Sequence, residues 1–261
     1  MSINPKQWLK DLFFLVNSKA IGDNASILSY HNIGSDDAFF TVPKASFEKQ
    51  LQYLQNNGYV VVFLSELIQA VRDKKDIGGK VVLTFNNGYE STFTEVLPLL
   101  RKYNVPASVF LTVEYLDTSI QTSDGFTFKT LSLAEIREML ASTKVEFFPQ
   151  TQHRLALDSV AFEIAVGSIE QSRKDIESVI KKEAPVFSFP KGRSTQRIID
   201  YLRENQWLGA VSNHEGLVHH DQGGRPHAAD HEGVLSVKIE PRRTRSCAKK
   251  KARFGQELPL K

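Results

Sequence analysis

Apolar residues along this chain alternate between two patterns. Short runs rich in β-branched and aromatic residues read as strands at 26–30 (SILSY), 59–63 (YVVVF), 80–85 (KVVLTF), 107–112 (ASVFLT), 144–148, 186–189 and 208–212, with 235–239 a candidate for one more. Between them lie stretches with helical spacing. The first, 44–56, carries Phe47, Leu51 and Leu54 at i, i+4 and i+7, and Gly58 is expected to stop it. The others are 65–71, 92–103, 132–140, 159–182 and 194–205. In the 92–103 segment Phe93, Val96, Leu97 and Leu100 form one stripe, and Pro98 is expected to kink it. Ser132 and Glu135 form a capping box. In 159–182 the inward positions are read as Phe162, Val166, Ile169, Ile176 and Ile180.

Strands separated by helices imply parallel pairing through βαβ crossovers. The regular alternation favours a closed or nearly closed β/α barrel over an open sheet. In such a barrel the chemistry lies at the C-terminal ends of the strands. The positions that matter are therefore Tyr30-His31, Asn86-Asn87, Thr112-Val113, Pro149-Gln150, Pro190-Lys191 and Ser212-Asn213.

Composition narrows the function classes. A net charge of +3 over 261 residues does not imply nucleic acid, because the excess gathers in Arg242, Arg243, Arg245, Lys249, Lys250, Lys251 and Arg253. That run reads as a solvated tail, 241–261, after a domain at 25–240. The lone Cys247 excludes an internal disulfide framework but not an extracytoplasmic location. No segment has the length and apolarity of a transmembrane helix. Residues 1–24 read as a helical extension with Trp8, Leu9, Leu12, Phe13 and Val16 on one face. That face is expected to pack on the domain, with peripheral membrane contact the alternative. The apolar run 12–16 is too short for a signal-peptide core and Asp11 interrupts it, so no cleavable signal is visible and the location stays open.

The ordered segments SYHNI, VVLTFNNGY, VPASVFLT, VEFFPQTQHRLAL, FSFPKGR and GAVSNHEGLV, from about Ser26 to Val218, resemble the polysaccharide deacetylase family, the NodB-homology domain. The resemblance implies an α/β fold, an incomplete and distorted (β/α) barrel. It implies removal of N-acetyl groups from glucosamine-containing polysaccharide by a metal-dependent hydrolase of carbon–nitrogen bonds. Family members carry Thr-Phe-Asp-Asp-Gly, with one Asp as base and the next as metal ligand, and two histidines that complete a site for zinc or a similar ion. Most members act outside the cytoplasm. Here the base position is Asn86, the first ligand position Asn87, and the two histidine positions Gln150 and Arg154, with His153 one residue early. Thr84, Phe85, Gly88, Tyr89, Thr151 and Leu157 keep the frame. The resemblance also makes Tyr89, Thr151, Phe189, Pro190, Lys191 and Arg193 candidate glycan contacts, and His31 a candidate acid.

These substitutions remove the chemistry. An amide has no lone pair basic enough to take a proton from water, so Asn86 is a lost base. Zinc prefers imidazole, thiolate or carboxylate over amide oxygens. A guanidinium ~4 Å from a divalent ion, at an effective dielectric of ~20, opposes binding by roughly 8 kcal/mol. A metal cofactor is therefore not expected, and Arg154 is read as the positive charge in its place. Two adjacent carboxylates without a cation would be costly, which gives the neutral pair Asn86-Asn87 a reason. The first functional expectation is a catalytically degenerate member that binds N-acetylated polysaccharide, or a partner, in the groove. The second is a divergent deacetylase that uses zinc or another divalent metal with His31, His153 or the loop carrying His214, His219, His220, His227 and His231.

Overall fold

In the computed structural model, which describes residues 23–151, 155–212, 218, 234–236 and 238–239, thirteen strands and six helices follow one another. They are β1 (Ser26–Tyr30), β2 (Asn32–Gly34), β3 (Thr41–Pro43), α1 (Lys44–Asn56), β4 (Val60–Val61), α2 (Leu64–Arg72), β5 (Lys80–Phe85) and α3 (Leu97–Tyr103). Then come β6 (Ala107–Leu111), β7 (Ser119–Gln121), β8 (Thr127–Lys129), α4 (Leu133–Ala141), β9 (Val145–Pro149), α5 (Phe162–Ile180), β10 (Val186–Ser188), α6 (Gln196–Glu204), β11 (Gly209–Ser212), β12 (Val234–Ser236) and β13 (Lys238–Ile239). The face carried by Trp8 and its neighbours, Gln152-His153-Arg154, the five loop histidines and the basic tail lie outside the described residues.

One parallel sheet runs β13-β1-β5-β6-β9, with β4 added at the start of β5, and a second runs β10-β11-β12. β9 and β10 lie side by side without a shared ladder, and one residue separates β12 from β13. The two sheets thus trace a ring with two gaps, the incomplete and distorted (β/α) barrel expected from the sequence. Strands β1, β6 and β11 are buried at every position, as strands covered on both faces must be. Two apolar clusters fill the structure. The larger joins β1, β5, β6 and β9 to α1 and α2, and the smaller gathers Ala165, Ile169, Phe187, Phe189, Ile198 and Trp207 under α5 and α6.

Local rules account for most boundaries. Helix α1 ends in a Schellman motif: Gly58 takes φ +73, its N–H donates to Gln55 O, and Tyr59 N–H donates to Leu54 O. The Ser132–Glu135 capping box forms in both directions, at 2.7 and 3.2 Å. Pro98 does not sit inside a continuous α-helix. A wide π-type turn over Thr92–Val96 precedes it, and Pro98 falls in the first turn of α3, where its missing N–H is harmless. The strand read at 59–63 shrinks to β4, because Phe63 is the N-cap of α2, with its N–H on Glu66 Oε2. Along α5 the buried stripe is Ala165, Ser168, Ile169, Ser172, Ile176 and Ile180, so Val166 and Phe162 are only part-buried. The pairs β2–β3 and β7–β8 were not anticipated from the sequence.

A part-buried carboxyl group ties α2 to the sheet. Glu146 of β9 accepts from Ser65 N–H (3.2 Å), Ser65 Oγ (2.6 Å) and Ser108 Oγ (2.5 Å). Ser108 Oγ in turn accepts from Leu64 N–H at 3.1 Å. Burial outweighs these hydrogen bonds and pushes the Glu146 carboxyl above its ordinary value. The stability linked to this group is therefore fully present below the ordinary glutamate range and is lost as pH rises through the raised folded value. Denaturant titrations at a series of pH values are expected to show this decline in the wild type and a flatter profile in Glu146→Gln. Glu146→Leu is expected to lose about 1–3 kcal/mol by stranding the Ser65 N–H and two hydroxyls.

Candidate active site

Register builds the mouth of the barrel. β1 and β5 pair over their whole length, so Tyr30 stands opposite Phe85 and the next residues, His31 and Asn86, emerge together. The Tyr30 and Phe85 rings stack at 5.3 Å and enclose Phe47 of α1, while Tyr30 OH donates to Gln50 Oε1. That fixes the helix-facing side, and alternation sends Ser29 and Asn86 to the other face. Asn86 N–H extends the ladder onto Tyr30 O at 2.9 Å. β6 and β9 do the same: Leu111 pairs with Pro149, and Gln150 N–H donates to Leu111 O at 2.8 Å.

The two strand ends meet through amides. Gln150 Nε2 donates to Asn86 Oδ1 at 3.1 Å, and Asn86 Nδ2 donates to Ser29 Oγ at 2.8 Å and to Tyr30 O at 3.3 Å. Both N–H bonds of the Asn86 amide and one lone pair of its oxygen are thereby engaged. Ser29 was not singled out from the sequence; the β1–β5 register that sets it opposite Thr84 brings it to Asn86.

The turn that follows has two backbone requirements. Asn87 and Gly88 take φ +71 and +60. A Cβ at Gly88 would lie 2.2 Å from Leu111 Cδ2 and would have to displace it, so glycine is favoured; at 87 the left-handed conformation is one that Asn and Asp tolerate. Asn87 is buried, and its Nδ2 donates to Tyr89 OH at 3.3 Å. The buried Thr151 closes the opposite wall, its carbonyl accepting from Thr112 Oγ1 and its hydroxyl donating to Leu155 O.

Side chains at the remaining positions are placed as follows. His31 is part-buried, with its ring 5.6 Å from Phe40. Tyr89 is buried between Phe40 and Phe128. Phe189 and Pro190 are packed inside, Phe189 against Phe187 at 5.4 Å. Lys191 is exposed at φ +56, and the exposed Arg193 pairs with Asp158 at 2.7 Å. Thus Asn86, Asn87, Gln150 and Tyr89 converge, while Arg193 is already engaged elsewhere.

A metal fits these residues poorly. The side chains at 87 and 150 are neutral amides, each giving one N–H, to Tyr89 and Asn86 respectively. Among the described residues, no three His, Cys, Asp or Glu side chains stand together to hold an ion. Amide oxygens alone are weak ligands for zinc.

A polysaccharide deacetylase family model matches residues 73–207, just over half of the chain. The chain belongs to the polysaccharide deacetylase family. YxkH of Bacillus subtilis (strain 168), which bears a polysaccharide deacetylase name, is 26% identical over 198 residues, 76% of this chain and 67% of its own length. The poly-β-1,6-N-acetyl-D-glucosamine N-deacetylase of Escherichia coli (strain K12) is 36% identical over 84 residues, 31% of this chain and 12% of that protein. The structure of the Streptococcus pyogenes deacetylase PplD in complex with acetate superposes with a TM-score of 0.70 at 18% identity, over 83% of this chain and 92% of that one. That likeness establishes the shared fold.

The amide network of this family member makes a testable point about charge. A carboxylate at position 86 would have no N–H to give Tyr30 O and would face that carbonyl instead. Asn86→Asp is expected to destabilise the fold by about 1–3 kcal/mol at neutral pH. The loss should shrink as pH falls through the raised carboxyl value of the variant, measured by urea unfolding across pH.

Proposed function

We propose that this polysaccharide deacetylase-family chain binds N-acetylated glycan at the barrel mouth without hydrolysing the acetamide. The observation that carries the reading is the contact between Asn86 and Gln150, which joins the base position to the first histidine position through a neutral hydrogen bond. An amide pair offers donors and acceptors suited to sugar hydroxyls and an acetamide, but it takes up no proton from water. Arg154 adds a permanent positive charge to the sequence where the family pattern has a ligand. The glycan class rests on relatives such as the E. coli poly-β-1,6-N-acetyl-D-glucosamine N-deacetylase.

His31 favours a second reading, a divergent deacetylase in which it acts as acid. It follows β1 at the level of Asn86.

Calorimetry with N-acetylglucosamine oligosaccharides, run beside an acetate-release assay, separates the two. The expected result is binding unaffected by chelator and no acetate above background. Acetate release that is abolished by chelator or by His31→Ala would overturn the binding reading. The wild type is expected to take up no stoichiometric zinc. A variant carrying Asn86→Asp, Asn87→Asp, Gln150→His and Arg154→His is expected to bind one ion per chain, as the retained frame of Thr84, Gly88 and Thr151 would allow.

A further inference from the structure

Two segments outside the barrel strands meet beside the mouth and bring Phe40, Phe126 and Phe128 together, with Phe39 next to Phe40 along the chain. The first is the loop 35–40, between β2 and β3, with Phe39 and Phe40 at its end. The second is the β7–β8 hairpin, whose turn and returning strand carry Phe126 and Phe128. The rings form a continuous series that starts at the mouth. His31 lies 5.6 Å from Phe40, Phe40 5.4 Å from Phe128, and Phe128 6.3 Å from Phe126, the last pair stacked at 23°. Tyr89, whose hydroxyl accepts from Asn87, stacks on Phe40 at 6.0 Å and 10°. Phe126 and Phe128 are only part-buried, so the series reaches solvent, and Phe39 beside Phe40 in the chain is 51% exposed.

Both segments are rigidly held. In the loop, Asp36 accepts from Asn32 Nδ2, Thr41 Oγ1 and Ala38 N–H, and Ser91 Oγ donates to Asn32 Oδ1 at 2.6 Å. The hairpin is anchored to the turn at 87–88. Tyr89 bridges to Thr130, Leu131 N–H donates to Gly88 O, and Glu90 N–H donates to Lys129 O. The two segments are joined to each other through the Phe40–Phe128 ring contact at 5.4 Å, and Thr122 Oγ1 donates to Phe126 O across the hairpin turn at 3.1 Å. Ordered rings lose little freedom when a ligand lands on them.

We propose that Phe40, Phe126 and Phe128, flanked by the exposed Phe39, form a stacking platform for a sugar ring of an N-acetylated glycan that lies at least two units along from the one in the mouth, out of reach of a disaccharide held there. This rests on the glycan-binding reading of the mouth. A pyranose presents an apolar C–H face and a hydroxyl edge, which suits a row of aromatic rings bordered by acceptors. The border is acidic: Asp36, Asp37 and Asp124 against Lys129. That charge sign repels an anionic membrane surface, the other partner an exposed aromatic patch would fit. It accommodates a neutral sugar, whose hydroxyls donate to carboxylates.

The test compares an N-acetylglucosamine disaccharide with a hexasaccharide by calorimetry on the wild type, Phe39→Ala and Phe126→Ala. The wild type is expected to bind the hexasaccharide more tightly. Each variant is expected to lose about three- to tenfold in hexasaccharide affinity while keeping disaccharide affinity and the wild-type thermal midpoint. Because Phe126 lies at the far end of the series, it tests the claim independently of Phe39. An unchanged preference for the hexasaccharide in both variants would overturn the platform and leave the mouth reading standing. A wild type that binds neither sugar would overturn both. Binding to phosphatidylglycerol vesicles that both variants lose, with sugar affinity intact, would reassign the patch to lipid and overturn the proposal.

Discussion

In-register parallel pairing of β1 with β5, and of β6 with β9, is the constraint on which the site depends. Each pair ends level, and the ladder then runs one residue beyond the strand, through Asn86 N–H on Tyr30 O and Gln150 N–H on Leu111 O. Two amides 64 residues apart in sequence thereby come within 3.1 Å. A slip of one residue in either pair would turn Asn86 or Gln150 to the opposite face, because side chains alternate along a strand. The triad of Tyr30, Phe47 and Phe85 resists such a slip by packing the other face of β1 and β5 against α1.

Within that geometry, shape and charge are separable. Gly88 is favoured by its positive φ and by the approach of the Leu111 side chain, which a Cβ would have to displace, and its carbonyl holds Leu131 N–H. At 87 the left-handed conformation selects a class of side chain rather than a charge state. At 86 the amide gives two hydrogen bonds outward and receives one, the reverse polarity of a carboxylate, which only accepts. A neutral mouth is therefore held together by amide hydrogen bonds of its own. It does not depend on a cation to offset carboxylates, which is the electrostatic condition that a metal site would impose.

Much of the fold was legible in the sequence because it rests on patterns with a fixed period. The strand at 26–30, the helix at 44–56 and the strand at 80–85 have the predicted ends, each bounded by a proline, a glycine or an abrupt loss of apolar residues. Phe63 shows where pattern fails: a β-favouring run of YVVVF ended early because its last residue caps the next helix. The β7–β8 hairpin was overlooked although Asp124-Gly125 lies between alternating SIQ and TFK, a recognised turn signal. At the site, the residues Asn86, Asn87 and Gln150 could be named from sequence, but not their partners. Ser29 meets Asn86, and Tyr89 meets Asn87 and Phe128, through contacts that depend on the folded register and the hairpin, which no local pattern encodes.

The hairpin also explains how the turn at 87–88 can be both unusual and ordered. Two consecutive residues at positive φ would be strained in isolation when one of them is not glycine. Here the turn is fastened from outside, by Leu131 on Gly88, Glu90 on Lys129 and the Tyr89–Thr130 bridge. Fastening the turn places Tyr89 between Phe40 and Phe128 and so carries the order of the mouth into the aromatic row. The order also runs in the other direction: Asp36 fastens the loop to β2 and β3, and the Phe40–Phe128 contact sets the loop against the hairpin. A ligand that presses on those rings would therefore meet a surface already set in position by the backbone of the barrel mouth, and binding there would demand little further ordering of the chain.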